Sequence, residues 1–107
     1  RTLSSGEQQR MALARVLMAS PGVLLCDEAT SNLDPKSTQM IEAVIMDKAA
    51  AGLPVLWVTH NLAQLRRLAR QVIFMQKGEI LANQDIDQFF HAPACSDAAE
   101  YLAYERI

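Results

Sequence analysis

Val23-Leu24-Leu25-Cys26-Asp27-Glu28-Ala29-Thr30-Ser31-Asn32-Leu33-Asp34 is the stretch from which the fold is read. Four apolar residues run straight into two adjacent carboxylates, which predicts a buried strand presenting Asp27 and Glu28 at its C-terminal end. Open α/β sheets place their ligands at that edge. A carboxylate pair there suits metal-assisted phosphoryl transfer, with Asp27 on the Mg²⁺ side and Glu28 positioning or deprotonating a water. The same two residues also read as a solvated strand end.

Working outward, Ala29 to Pro35 is polar and turn-rich and precedes a helix with Met40, Ile41, Val44, Ile45 and Ala49 on one stripe. Asp34 or Asn32 can cap this helix, and Pro35 suits its first position. Ala51-Gly52-Leu53-Pro54 closes it, and Pro54 to Thr59 reads as a second buried strand. A helix between two apolar strands implies a β-α-β crossover and a parallel sheet. His60 then falls at the sheet edge that carries Asp27 and Glu28, which turns a plain loop histidine into a candidate site residue. On the other side, Ser4 or Ser5 with Glu7 and Gln8 has capping-box spacing, and Met11, Ala14, Leu17 and Met18 recur at helical intervals until Ser20-Pro21-Gly22. The Ser4-Ser5-Gly6 turn is therefore either a simple cap or an anion site at a helix N-terminus.

Four motifs now stand in order: Leu3-Ser4-Ser5-Gly6-Glu7-Gln8-Gln9-Arg10, Val23 to Glu28, Ser31-Asn32-Leu33-Asp34, and His60. Together they resemble the signature loop, Walker B strand, D-loop and switch histidine of the ATP-binding cassette (ABC) ATPases, over residues 1 to about 90. The resemblance implies a P-loop NTPase-type fold, ATP and Mg²⁺ as ligands, and a head-to-tail dimer with a second nucleotide-binding subunit. In that dimer Ser4, Ser5, Gly6 and Glu7 would meet the γ-phosphate held by the opposite subunit, and Asp34 would couple the two sites across the interface. It further implies Glu28 as general base, Asp27 as an indirect magnesium contact and His60 as a γ-phosphate contact. A membrane permease is the implied partner, which would place the protein in the cytoplasm at the inner face of the cell membrane. Family members acting on soluble partners share the same motifs. The family usually has Gly where this chain has Ser5.

Composition sets the outer bounds. The 107 residues are half apolar with a net charge of −2, which predicts one α/β domain spanning 1–107, motif-bearing to residue 90 and helical in its 91–107 tail. No basic surplus points to nucleic acid, no apolar run is long enough to cross a bilayer, and no signal peptide is visible. Cys26 and Cys95 have no CxxC partner and read as free thiols of a reducing compartment. Glycine occurs only at 6, 22, 52 and 78, so no GxxxxGK[ST] phosphate loop is possible. With that loop missing and the chain opening close to the signature-like run, the expectation is the C-terminal half of an ABC nucleotide-binding domain, lacking the Walker A half and inactive alone. Such a piece would expose a sheet edge and apolar helix faces, and self-association is expected. The rival reading is a non-catalytic interaction or dimerisation module.

The remaining chain is read locally. Asn61 can cap a helix with Leu62, Leu65, Leu68 and Ala69 on one face and Arg66, Arg67 and Arg70 on a solvated one. Gln71 to Gln76 and Glu79 to Asn83 flank Lys77-Gly78 as a hairpin whose first strand is expected to join the parallel sheet. Asp85 opens a short helix through Phe89 and Phe90. Beyond Pro93, Ser96 is expected to cap a last helix whose aromatics serve packing.

Overall fold

Ser4 starts the first helix as the spacing predicts: its hydroxyl accepts from the Glu7 amide (3.1 Å) and the Glu7 carboxylate accepts from the Ser4 amide (3.2 Å). This closes a capping box ahead of α1, Ser5–Met18. The computed structural model describes residues 4–105, so Leu3 of the signature-like run lies outside the described residues. The chain divides into two compact units, 1–60 and 61–107.

In the first unit α1 is followed by β1 (Leu24–Asp27), α2 (Pro35–Ala50) and β2 (Val55–Val58). Asp34 caps α2, accepting from the Ser37 amide at 3.2 Å, and Pro35 occupies the first turn, where its missing N–H costs nothing. The helix ends in a Schellman motif: Gly52 donates to Ala49 (3.0 Å) and Leu53 to Lys48 (3.1 Å), with Gly52 at φ 108°. That turn returns the chain to pair β2 with β1 in parallel, Leu24 opposite Val55 and Asp27 opposite Val58.

The core of this unit is Leu24, Cys26, Ile41 and Ile45, with Leu13, Leu33, Val55 and Trp57 packed against it. Ile41 and Ile45 are each 1% exposed, and burying a side chain of that size contributes about 1.5–3 kcal/mol. The two strands read as buried are covered on one face only. Leu25, Leu56 and Val58 stay 64%, 52% and 43% exposed, because within this unit the helices cover only the Leu24-Cys26 face. The α1 stripe also differs from expectation. Met11 and Met18 are exposed, and α1 packs instead through Gly6 and Leu13, with Gln9 half-buried between them.

The second unit holds α3 (Leu62–Leu68), β3 (Gln71–Gln76), β4 (Glu79–Asp85), α4 (Ile86–His91) and α5 (Ser96–Glu105). Lys77 and Gly78 take φ 51° and 78°, the positive pair that a two-residue hairpin turn requires, and β3 and β4 pair antiparallel with an irregularity at Phe74/Met75. β3 does not extend the parallel pair as expected. Its hydrogen bonds go to β4 in a separate two-stranded sheet. Asp85 caps α4 through the Gln88 amide (2.8 Å). Ser96 is not the expected cap but the first residue of α5, and the Cys95 carbonyl accepts from the Ala99 amide (3.2 Å). Phe74, Phe89 and Phe90 form the aromatic centre of this unit, and Tyr101 lies 5.6 Å from Phe74. Arg66 is exposed as expected, yet its guanidinium sits 4.8 Å from the centroid of the Phe90 ring.

Candidate functional site

The two parallel strands finish together. Past the Asp27–Val58 pair, the Glu28 amide donates to the Val58 carbonyl at 2.8 Å, so Glu28 is tied to the end of β2 although it lies outside β1. Its backbone adopts φ 50°, a left-handed conformation that a non-glycine residue holds only when its surroundings enforce it. Ser31 donates to the Glu28 carbonyl (3.1 Å) and Leu33 to that of Thr30 (3.2 Å), which winds the following segment into tight turns. This bend brings the carboxylate to His60: Glu28 Oε1 lies 3.1 Å from His60 Nε2, with the side chains 40% and 82% exposed. Two residues far apart in sequence thus meet at one strand end, open to solvent on the imidazole side. Asp27, the last residue of β1, is exposed beside them.

The remaining site candidates occupy a second locus. Ser4 and Glu7 satisfy one another in the capping box, which leaves the Ser4 hydroxyl proton as a donor, and Ser5 is exposed. Gly6 is buried against Ser37, the third residue of α2. A Cβ on Gly6 would come within 2.9 Å of Ser37 Cβ and closer still to its Oγ. The glycine therefore has a packing reason inside this chain. Asp34 caps α2, and the Ser37 side chain and amide hold its carboxyl below the ordinary aspartate range.

Two contacts of α1 were not among the candidates, and the first of them links these loci. Gln9 Nε2 donates to the Ala29 carbonyl at 2.7 Å, joining α1 to the residue after Glu28. Arg10 Nη1 approaches Met40 Sδ of α2 at 3.0 Å. A cleft of about 190 Å³ lies beneath α1, lined by Gln9, Leu13, Val16, Cys26 and Asp27 among others. Both cysteines are free, and burial pushes the Cys26 thiol up from its ordinary value.

Two tests bear on the implied ligands. Among the described residues no group of three or more His, Cys, Asp or Glu side chains could hold a metal ion. Magnesium, however, takes one or two carboxylates with waters and phosphate oxygens rather than a full protein cage, and exposed Asp27 fits that share. The β-phosphate cradle is different: it needs backbone amides of a glycine-rich loop, which these 107 residues do not contain. Among the described residues no helix is long and apolar enough to cross a membrane.

Comparison with known proteins bears on the same residues. The family model described as ABC transporter matches residues 1–31. The methionine import ATP-binding protein MetN of Chromohalobacter salexigens is 40% identical over 101 residues, 94% of this chain and 29% of its own length. The glutamate/aspartate import ATP-binding protein GltL of Escherichia coli K12 is also 40% identical over 94% of this chain, which covers 42% of that protein. The phosphate import ATP-binding protein PstB 2 of Lactiplantibacillus plantarum is 37% identical over 95% of this chain and 40% of itself. The chain spans 29–42% of the length of these relatives. Along nearly all of its own length, then, the chain is similar to import ATP-binding proteins, and its first 31 residues match the ABC transporter family.

Proposed function

We propose that these residues are the C-terminal half of the nucleotide-binding domain of an ABC transporter ATPase subunit, both units belonging to one domain, and that the complete protein hydrolyses ATP to drive solute import. The observation that carries this reading is the 3.1 Å approach of His60 to Glu28 at the end of the paired parallel strands. Glu28 is exposed enough to reach a water and fixed enough to act on it: its carboxylate takes the proton as the water attacks the γ-phosphorus in line, the bond to the β,γ-bridging oxygen breaks, and ADP and phosphate are the products. His60 contacts the γ-phosphate. While Nε2 serves Glu28, a phosphate oxygen is reached through Nδ1–H of the doubly protonated ring or after ring rotation. Asp27 would hold magnesium, which when bound would supply neutralisation of phosphate charge.

The Ser4-Ser5-Gly6-Glu7 turn and Asp34 act toward a second subunit in a head-to-tail dimer. The Ser4 hydroxyl and the first amides of α1 serve as donors to the phosphate held there. A membrane permease is the further partner, placing the protein at the cytoplasmic face. The names of the import relatives support this assignment. The missing phosphate loop favours a second reading for these 107 residues taken alone, that of a non-catalytic interaction module. Glu28→Gln in the complete protein separates the two. ATP binding should persist while turnover falls by about a hundredfold or more, and wild-type turnover would remove Glu28 from the role of base.

A further inference from the structure

Glu28 is held in a left-handed backbone conformation, and the contacts that hold it can be named. Its amide is tied to Val58 (2.8 Å) and its carbonyl accepts from Ser31 (3.1 Å). The next carbonyl, that of Ala29, accepts from the Gln9 side chain at 2.7 Å, the shortest of these bonds and the one made by a side chain, from α1. Gln9 lies on the face of α1 that packs inward, one turn beyond the Gly6 contact with Ser37 and one turn before Leu13. Its amide is thus placed by helix packing, and it fixes the Ala29–Thr30 peptide plane, one residue beyond Glu28.

We infer that Gln9 is a positioning residue for hydrolysis, whose Nε2–H clamps the Ala29 carbonyl and so keeps the Glu28 carboxylate aimed at His60 and the attacking water. This rests on the hydrolytic reading proposed above. The same side chain makes the Ser4 to Glu7 turn and the catalytic strand end move together, because α1 cannot shift along its axis without pulling on Ala29. Misplacing a catalytic group by about 1 Å costs up to a hundredfold in rate. Loss of the clamp should therefore lower kcat and leave nucleotide affinity in place.

The test uses the complete protein with rates normalised to folded material. Gln9→Met keeps the shape and loses the donor. Its kcat should fall about tenfold or more while KM for ATP stays within about twofold. Gln9→Glu is closer still to the native shape and faces the carbonyl with an acceptor when ionised. It should be as slow as Gln9→Met at pH 8, since a carboxylate cannot donate to the Ala29 carbonyl. Wild-type kcat in Gln9→Met, or in Gln9→Glu at pH 8, would overturn the inference. Glu28→Gln measured alongside keeps the two claims apart. Lost turnover there with normal Gln9→Met condemns only Gln9, whereas normal turnover in Glu28→Gln condemns the hydrolytic reading and the inference with it.

Discussion

Adding one methyl group to Gly6 probes how α1 is seated. An alanine Cβ would stand 2.9 Å from Ser37 Cβ and nearer to its Oγ, and Ser37 is held through its amide by Asp34 at 3.2 Å, so it cannot simply step aside. Alanine gains about 0.8–1.0 kcal/mol over glycine in a helix, whereas forcing extra volume into a packed contact costs about 1–3 kcal/mol. With two atoms in collision the upper part of that range applies, for a net loss of about 1–2 kcal/mol. In a Ser37→Gly background both offending atoms are gone, and Gly6→Ala should then be neutral or stabilising. The resulting coupling energy is about 2–3 kcal/mol, at the high end for residues in contact. Urea unfolding followed by far-ultraviolet circular dichroism on the four proteins measures it. A loss below about 0.5 kcal/mol in the parent background, or the same loss in both backgrounds, would refute the packing argument.

Two further outcomes follow from titrating groups. The Asp34 carboxyl is held low by Ser37, so the stability it contributes is full above the ordinary aspartate value and is lost as pH falls through the lowered one. Asp34→Asn should flatten the acid limb of a stability profile, measured by thermal unfolding between pH 2 and about 5. The Cys26 thiol is raised by burial, so its contribution is present below the ordinary thiol value and fades as pH rises through the raised one. Iodoacetamide at pH 8 should accordingly label the half-buried Cys95 before Cys26, as read by mass spectrometry, and equal rates would contradict the burial of β1.

Features encoded by neighbouring residues were legible in the sequence. Ser4 with Glu7, Asp34 with Pro35, Lys77 with Gly78 and Asp85 with Gln88 each satisfy backbone groups within a few residues, so their spacing alone is informative. The convergence of Glu28 and His60 was also readable, because two apolar runs joined by a helix pair in parallel and end on the same side. What periodicity could not reveal was which face of α1 packs. Met11 and Met18 outrank Gly6 and Gln9 in hydrophobicity, yet the inward face is chosen by a close backbone approach and a single amide bond. Nor does an apolar run say how many of its faces are covered: Leu24 and Leu25 are alike in composition and opposite in burial. The hairpin of β3 with β4 is as read, but a hairpin satisfies one edge of a strand and leaves the other open, so it does not by itself say whether β3 joins a further sheet.

The most direct test of the Glu28–His60 pair is single-turnover hydrolysis of Mg·ATP by the complete protein carrying Glu28→Gln, His60→Ala, or both. If the carboxylate acts as the base and the imidazole works through the same water and phosphate, Glu28→Gln falls by about a hundredfold or more, and the double variant falls little further. Wild-type rates in Glu28→Gln, or a double variant slowed by the full product of the two single effects, would contradict it.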